Sequence, residues 1–593
     1  MSAERARTTL SQRSATRHGD VASMRLKPFA PALVAALALA ACATPPRSPE
    51  ALATPPSRTA YYGTLEPFAS ESVYFVVTDR FVNGDTGNDH RDQGGAQRTF
   101  DIPLHCPDGV VDNIGYLGGD FRGLLDHAGY IREMGFGAVW ITPVVDNPDE
   151  AFSGGDAITC TSFLTDRGKA GYHGYWGVNF HRLDEHLPSP GLGMAELTRG
   201  LRAQGLKTVL DIVGNHSSPA FSMPQRQPGF GQVFDAGGTL VADHENLPPE
   251  QLDPVHKPLH RFYNTKRDLA QLGDFDADNP AVMDHLVDAY LHWIDAGVDA
   301  FRIDTIRHQP LAFWKTFSDR IRARHPGFFM FAEAFDEDAT KIAPFTWREN
   351  GSISVLDFPM KAAMKAVFST HDGDYAALVS TLHLTDGVYA NAYDLATFYD
   401  NHDMARFGGD DAAFIDLHHW LFTARGIPVV YYGSEMGFMR GAVEHHGNRN
   451  YFGTVGIAAA RAHPIRAKLA RIAQARRVSI ALQRGLQLNL DVAGDTAAFY
   501  RVYDHAGTAQ TALVLLNKGS APATFALRER LLPGMWRDAF GEQRPRAFDA
   551  DTTIEVGPHD AAVWILDGPV TVAALRARLD QLMAGRERRT NGG

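Results

Sequence analysis

From Val73 onward, short apolar runs alternate with longer stretches in which apolar residues recur every three or four positions. The runs are Val73–Thr78, Ala138–Ile141, Thr208–Val213, Ala300–Ile303, Phe328–Ala332, Ile353–Leu356, Ala396–Tyr399 and Val429–Tyr432. They are rich in Val, Ile, Phe and Tyr, as strands are when both faces are buried in a parallel sheet. Phe121–Met134, Met194–Gln204, Pro280–Asp295, Pro310–Arg324 and Asp411–Thr423 have helical periodicity, and Pro280 and Pro310 suit a first turn, where no backbone N–H is needed. Eight strands, each followed by a helix or a long excursion, predict an α/β fold of the (β/α)8 type, a TIM barrel. An open doubly wound sheet is the competing arrangement.

Residues 217–272 are Pro- and Gly-rich and too long for an ordinary loop, which predicts a small subdomain inserted after strand 3 of a barrel spanning 67–477. After about Val478 the pattern changes to short alternating runs such as Ala497–Val502, Ala512–Asn517 and Ala561–Leu566. Residues 478–568 therefore read as a C-terminal all-β sandwich domain. The remainder, 569–593, reads as a charged helix or a frayed tail.

The chain has 593 residues, 44% hydrophobic and 21% charged, enough for a large core. A net charge of −12 argues against a nucleic-acid partner and is compatible with a neutral substrate. Near the amino terminus, Arg25 and Lys27 precede the apolar run Pro28–Ala41, which falls short of the about 20 residues that span a bilayer. Leu39-Ala40-Ala41-Cys42 looks like a bacterial lipoprotein signal. On that reading residues 1–42 are the signal, with Met24 as a possible true start, Cys42 carries the lipid, and 43–66 are a flexible tether. An ordinary cleaved signal with an incidental Cys42 is the other reading. Ala43 after the cysteine favours, by resemblance to known lipoproteins, an exported protein anchored at the outer membrane. Cys106 and Cys160 are the other two cysteines; they could pair in an oxidising setting or remain free thiols.

In a barrel of this kind, reacting groups project from the carboxyl ends of the strands. The third strand runs into Asn215-His216, the fourth ends in Arg302-Ile-Asp304, the fifth meets Glu333, and the seventh leads to Asn401-His402-Asp403. Arg302 and Asp304, two apart on a strand, share a face, and a guanidinium holds a neighbouring carboxylate ionised, as a nucleophile requires. Carboxylates with differing pKa values on either side of a bond are what glycosidic cleavage needs. A two-metal hydrolytic site is the other use of such a rim, but it calls for more histidines and for carboxylates closer together.

The motifs D-I-V-G-N-H (211–216), F-R-I-D-T-I-R-H (301–308), F-A-E-A-F around Glu333 and F-Y-D-N-H-D (398–403) resemble the four principal motifs of the α-amylase family of glycoside hydrolases, family 13. G-F-G-A-V-W-I-T-P (135–143), Y-H-G-Y-W (172–176) and L-G-D-F-D (272–276) resemble its secondary ones, in the same order. The resemblance implies that Asp304 is the nucleophile, Glu333 the acid and base, and Asp403 a third carboxylate that holds sugar hydroxyls. It implies that Arg302 keeps Asp304 ionised, that His173, His216 and His402 bind hydroxyls, and that Tyr175 stacks under the sugar ring. Retention of configuration would follow, with the Asp304 and Glu333 carboxyls about 5–5.5 Å apart.

Asn83–Asp89 (N-G-D-T-G-N-D) packs oxygen-bearing side chains around two glycines, a composition that suits calcium or a plain Asx/Gly turn. It is similar to the amino-terminal calcium loop of cyclodextrin glucanotransferases, which implies Asn83, Asp85, Asn88, Asp89, Asp120 and the Gly118 carbonyl as Ca2+ ligands. The same resemblance implies a second calcium at Asn215, Asp274 and the His308 carbonyl.

Local similarity to cyclodextrin glucanotransferases and cyclomaltodextrinase-like amylases extends to Asn401–Phe407 and to Phe335, a further substrate contact. Two departures favour hydrolysis of α-1,4-glucans (starch, maltodextrins or cyclodextrins) over transfer. Ala270 stands where the transferases have an aromatic residue, and no room remains after Leu566 for their additional β-domains. A non-catalytic glucan-binding lipoprotein is a remote alternative, since all three carboxylates are present. No protein partner is evident in the sequence.

Overall fold

The structure is a computed structural model and describes residues 58, 60–370 and 372–587. The signal segment, Cys42 and residues 588–593 lie outside the described residues. Eight parallel strands form one sheet: β1 (Val73–Val76), β2 (Ala138–Ile141), β3 (Lys207–Val213), β4 (Ala300–Asp304), β5 (Phe329–Ala332), β6 (Ser354–Val355), β7 (Ala396–Thr397) and β8 (Ile427–Tyr431). β1 pairs with both β2 and β8, Val73 lying beside Ala138 and Val429, and a parallel bridge from Leu356 to Ala396 closes the ring between β6 and β7. The fold is thus a closed (β/α)8 barrel. Every residue of β1, β2, β4, β5 and β8 is buried, which is why these strands read as unbroken apolar runs.

Aromatic rings fill the barrel beneath its carboxyl-terminal rim. Phe75 stacks on Trp140 at 3.8 Å, and Trp140 meets the edge of Phe331 at 5.6 Å. Helices that cover the sheet start at side-chain caps: Asn279 accepts from the Ala281 N–H, with Pro280 at the first turn, and Asp410 accepts from Ala413. Pro310 sits one position earlier than the sequence suggests, as the cap of Leu311–Arg324. The stretch Phe121–Met134 breaks into two helices, Phe121–Asp126 and Ala128–Glu133, at His127, whose backbone is not helical. Gly297, at φ 101°, turns the chain into β4 where a Cβ would stand 2.5 Å from Thr198 Oγ1.

The excursion after β3 carries strands His216–Pro219, Gln232–Phe234, Leu240–Asp243 and Leu272–Asp274. It is not self-contained, because Gln232–Phe234 and Leu240–Asp243 share a sheet with Val145–Asp146 and Asn179–Leu183 from the excursion after β2. Past the barrel, six antiparallel strands between Leu486 and Asp567 form one sheet and Ala523–Phe525 pairs with Ile554–Val556 in another. Arg501 fastens this domain to the barrel by donating to the Thr423 and Ala424 carbonyls at 2.7 and 2.6 Å. Ala573–Glu587 is helical, burying Leu575, Leu579 and Met583. The tether expected to reach residue 66 ends earlier. Tyr61 is buried, exchanges backbone hydrogen bonds with Asp504 at 2.8 and 2.6 Å, and donates its hydroxyl to Asp580.

Candidate active site

β4 and β5 run in parallel register with Ile303 beside Ala332, which brings the next residues, Asp304 and Glu333, to the rim as neighbours. Thr305, at φ 47°, turns the chain sharply out of β4, and Ile306 then donates its N–H to the Glu333 carbonyl at 3.2 Å. The buried Arg302 guanidinium lies below both carboxylates. Nη1 donates to Asp304 Oδ1 and to Asp211 Oδ1, each at 2.8 Å, and Nη2 stands 2.9 Å from Glu333 Oε2.

Burial pushes the Glu333 carboxyl up to about 8; Arg302 opposes this, while Asp403, Asp304 and Asp211 add to it. A carboxyl with that value carries its proton at neutral pH. Asp403, whose side chain is 32% exposed, pairs with His402 Nε2 at 3.1 Å and Arg449 Nη2 at 2.8 Å. Burial raises it to about 6 against the pull of Arg449.

The three histidines and Tyr175 gather on the same rim. Tyr175 stacks with His402 at 5.3 Å, accepts a place beside His173 through a 3.1 Å bond from its N–H to His173 Nδ1, and donates its hydroxyl to Asp211 Oδ2 at 2.8 Å. Burial lowers His216 to about 4 and holds His173 and His402 well below the usual range, so all three are neutral imidazoles at pH 7. Phe335 stands apart from this buried cluster, 57% exposed at the rim, its ring 4.9 Å from that of Phe358.

Sequence reasoning missed four residues here. Asp211 is fully buried, joins Arg302, Tyr175 and Trp140 Nε1, and is raised to about 7 by burial. Its place beside Arg302 is set by the parallel register of β3 and β4, which the sequence does not display. Arg449, Glu444 and Lys169 come from irregular loops that carry no periodic pattern.

The calcium-loop residues do converge. A Cβ on Gly118 would stand 2.2 Å from Asn83 Nδ2 and 2.4 Å from Asp89 Oδ1, and Asn83 Nδ2 donates to Asp89 Oδ1 at 2.7 Å. Asp120 accepts from Gly84 and Asp85 N–H at 3.1 and 2.7 Å, and Asp85 accepts from Gly87. Asn83 Oδ1 and Asn88 Oδ1 are buried without a hydrogen-bond partner among the described residues. Two orphaned amide oxygens among carboxylates fit a hard cation. At the second locus Asn215 Oδ1 is likewise orphaned, its Nδ2 lies 3.2 Å from Asp274 Oδ1, and burial with Asp268 nearby raises Asp274 to about 7. His308 turns its ring to Asp268 at 2.8 Å, and the adjoining Gln309 reaches the Asn215 and Phe275 carbonyls.

A protonated Glu333 beside Asp304 on one arginine, ringed by neutral imidazoles at the mouth of a β/α barrel, is the arrangement of a glycoside-hydrolase type of enzyme. Residues 75–451 match the family model described as alpha amylase, catalytic domain, and the chain belongs to that family. It is 30% identical over 389 residues to the cyclomaltodextrin glucanotransferase of Geobacillus stearothermophilus, a match that takes in 62% of this chain and 49% of that one. The chain thus spans about half the length of the curated relatives it matches. An α-amylase from Geobacillus thermoleovorans, solved in complex with acarbose, superposes with a TM-score of 0.64 at 25% identity, covering 85% of this chain and 99% of its own. A cyclomaltodextrin glucanotransferase with a three-domain distribution gives 0.66 at 26%, covering 84% and 99%.

Proposed function

We propose that this protein is a retaining α-glucan hydrolase that cleaves α-1,4-glucosidic bonds through a covalent glycosyl-enzyme. One observation carries the reading: a single buried guanidinium serves two neighbouring carboxyls, hydrogen-bonding Asp304 while Glu333 keeps its proton. Asp304 attacks the anomeric carbon, and Glu333 gives its proton to the departing glycosidic oxygen. Glu333, now ionised beside Arg302, takes a proton from the incoming water that releases the sugar. Asp403, His402, His216 and His173 accept and donate hydrogen bonds at the hydroxyls of the distorted ring, and Tyr175 supplies its apolar face. Product chromatography from soluble starch, maltodextrin and cyclodextrin tests this. Linear reducing products that disappear in Glu333→Gln support it; wild type releasing none refutes it.

Transfer to a second glucan is the rival outcome for the same intermediate, and exposed Phe335 favours it as an acceptor platform. Domain count does not separate the two, because a three-domain glucanotransferase is matched over 99% of its length. Ala270 remains the argument for water: no aromatic ring stands at this position to guide an acceptor chain.

Calcium, on this reading, would be held by Asn83, Asp85, Asn88, Asp89, Asp120 and the Gly118 carbonyl, and by Asn215, Asp274 and the His308 carbonyl. It would supply charge compensation and cross-linking of loops. The protein is further proposed to be exported and anchored through lipid on Cys42, a reading supported by the Cys106–Cys160 disulfide, which suits an oxidising compartment.

A further inference from the structure

The groups that hold Asp403 come largely from outside the barrel strands. Arg449, in the excursion after β8, donates Nε to the His402 carbonyl at 3.0 Å and Nη2 to Asp403 Oδ1 at 2.8 Å. The same Nη2 lies 3.1 Å from Glu444 Oε1. Lys169, from the excursion after β2, then places Nζ 3.3 Å from Glu444 Oε1 and 2.6 Å from Asp166 Oδ1. Asp166, Lys169, Glu444, Arg449 and Asp403 form a row of five charges of alternating sign. Lys169 and Arg449 are buried.

A row of buried charges is a poor way to gain stability, because desolvation consumes most of the Coulomb attraction. Apolar contacts would pin two loops at lower cost. The row ends, however, on a carboxylate that opens onto the cleft. An arginine facing a lone carboxylate tends to form a bidentate pair that occupies both oxygens. Here Glu444 competes for the same nitrogen.

We infer that Glu444, braced by Lys169, is a positioning residue that draws Arg449 aside, fixes the orientation of Asp403 and leaves that carboxylate available to sugar hydroxyls. The inference rests on the proposed role of Asp403. The groups facing Asp403 are Arg302, Asp304 and Glu333 from the barrel, His402 on its own segment, Tyr175 from the excursion after β2, and Arg449 and Glu444 from the loop. Those facing Glu444 are Arg449, Lys169, His445, Asp112 and His173. Burial works against the charge on Glu444, but Arg449 and Lys169 outweigh it and hold the group well below the usual range. Glu444 is therefore a fixed negative charge at every working pH. Removing that charge leaves the whole of Arg449 to Asp403, so Asp403 titrates lower.

The test compares kcat, KM and the pH profile on soluble starch for wild type, Glu444→Gln, the charge-balanced double variant Lys169→Gln/Glu444→Gln, and Asp403→Asn. The inference expects Glu444→Gln to lower kcat by about fivefold or more with KM within about twofold. It also expects the acidic limb to move down by about half a pH unit or more. The double variant should do the same, and it carries the test if Glu444→Gln alone does not fold. An unmoved acidic limb, or a loss confined to KM, overturns the inference while Asp403→Asn is inactive. Wild-type activity in Asp403→Asn overturns the role of Asp403 itself.

Discussion

Arg302 and Glu333 stand 2.9 Å apart, Nη2 to Oε2, and the acid nevertheless keeps its proton to about pH 8. Proximity alone would lower it. Burial is the larger effect, three further carboxylates add to it, and Nη2 lacks the alignment of a hydrogen bond to any partner among the described residues. The arginine therefore commits its directed hydrogen bonds to Asp304 and Asp211, and gives Glu333 only an undirected attraction.

Activity should follow that proton. Glu333 acts first as an acid, so the active form exists below its pKa and is lost as pH rises through about 8. The alkaline limb of kcat/KM against pH, measured on soluble starch, should have its midpoint near that value. Glu333→Gln should cost about 10²–10⁴ in kcat and remove the limb from whatever rate remains. A wild-type midpoint at the ordinary glutamate value would mean that Glu333 is not the acid.

The barrel was legible because strands buried on both faces leave unbroken apolar runs, and the site because Asp304 and Glu333 sit one residue beyond their runs and Asp403 four beyond Ala396–Tyr399. Asp304, Glu333 and Asp403 could be read that way. The Arg302–Asp211 bond could not, since it depends on which strands lie side by side and in what register. Arg449, Glu444 and Lys169 were hidden for a different reason: they lie on loops whose shape is set by tertiary contacts. Tyr61 was hidden too, because a single bridge to Asp504 leaves no period in a Pro-rich stretch. Two-residue pairings such as Val145–Asp146 against Asn179–Leu183 are too short to show an alternation.

Calcium should be a structural ligand at Asn83–Asp89. The orphaned oxygens of Asn83 and Asn88 cost free energy while unpaired and gain a partner when a cation binds. Chelation should then lower the melting temperature of wild type. Asp85→Ala should melt lower than wild type in calcium, with a smaller further drop on chelation, the part owed to the second locus. Equal chelator sensitivity in the two proteins would move the calcium elsewhere.

Cys106 and Cys160, left as either a pair or two thiols by the sequence, are joined across 54 residues. The bond ties the loop carrying Lys169 to the strand pair Pro103–His105 and Val111–Asn113. Cross-linking a loop of that length restricts the unfolded chain and is worth about 2–4 kcal/mol. Cys106→Ser/Cys160→Ser should lose stability of that order in denaturant titration, and dithiothreitol should destabilise wild type but not the double variant. Equal responses to the reductant would exclude the bond from the folded protein.

Glu435 offers a test of buried charge away from the cleft. Its Oε1 accepts the hydroxyls of Tyr74, at 2.8 Å, and Tyr130, while Oε2 is buried without a hydrogen-bond partner among the described residues. Burial raises its pKa against the two tyrosine hydrogen bonds and the nearby Arg406. A carboxyl whose folded pKa exceeds its unfolded value gives stability that is full below the unfolded value, about 4.3, and is lost as pH climbs through the folded one. Glutamine keeps an oxygen for both tyrosines and cannot ionise, at the cost of an amide N–H₂ with no assured acceptor. Wild type should therefore match or exceed Glu435→Gln in melting temperature near pH 5 and lose ground to it as pH rises from there, levelling off once the folded carboxyl is ionised. A difference that stays constant across that range would show that Glu435 titrates alike in the folded and unfolded chains, and that its burial is relieved by a charge partner the tyrosines do not provide.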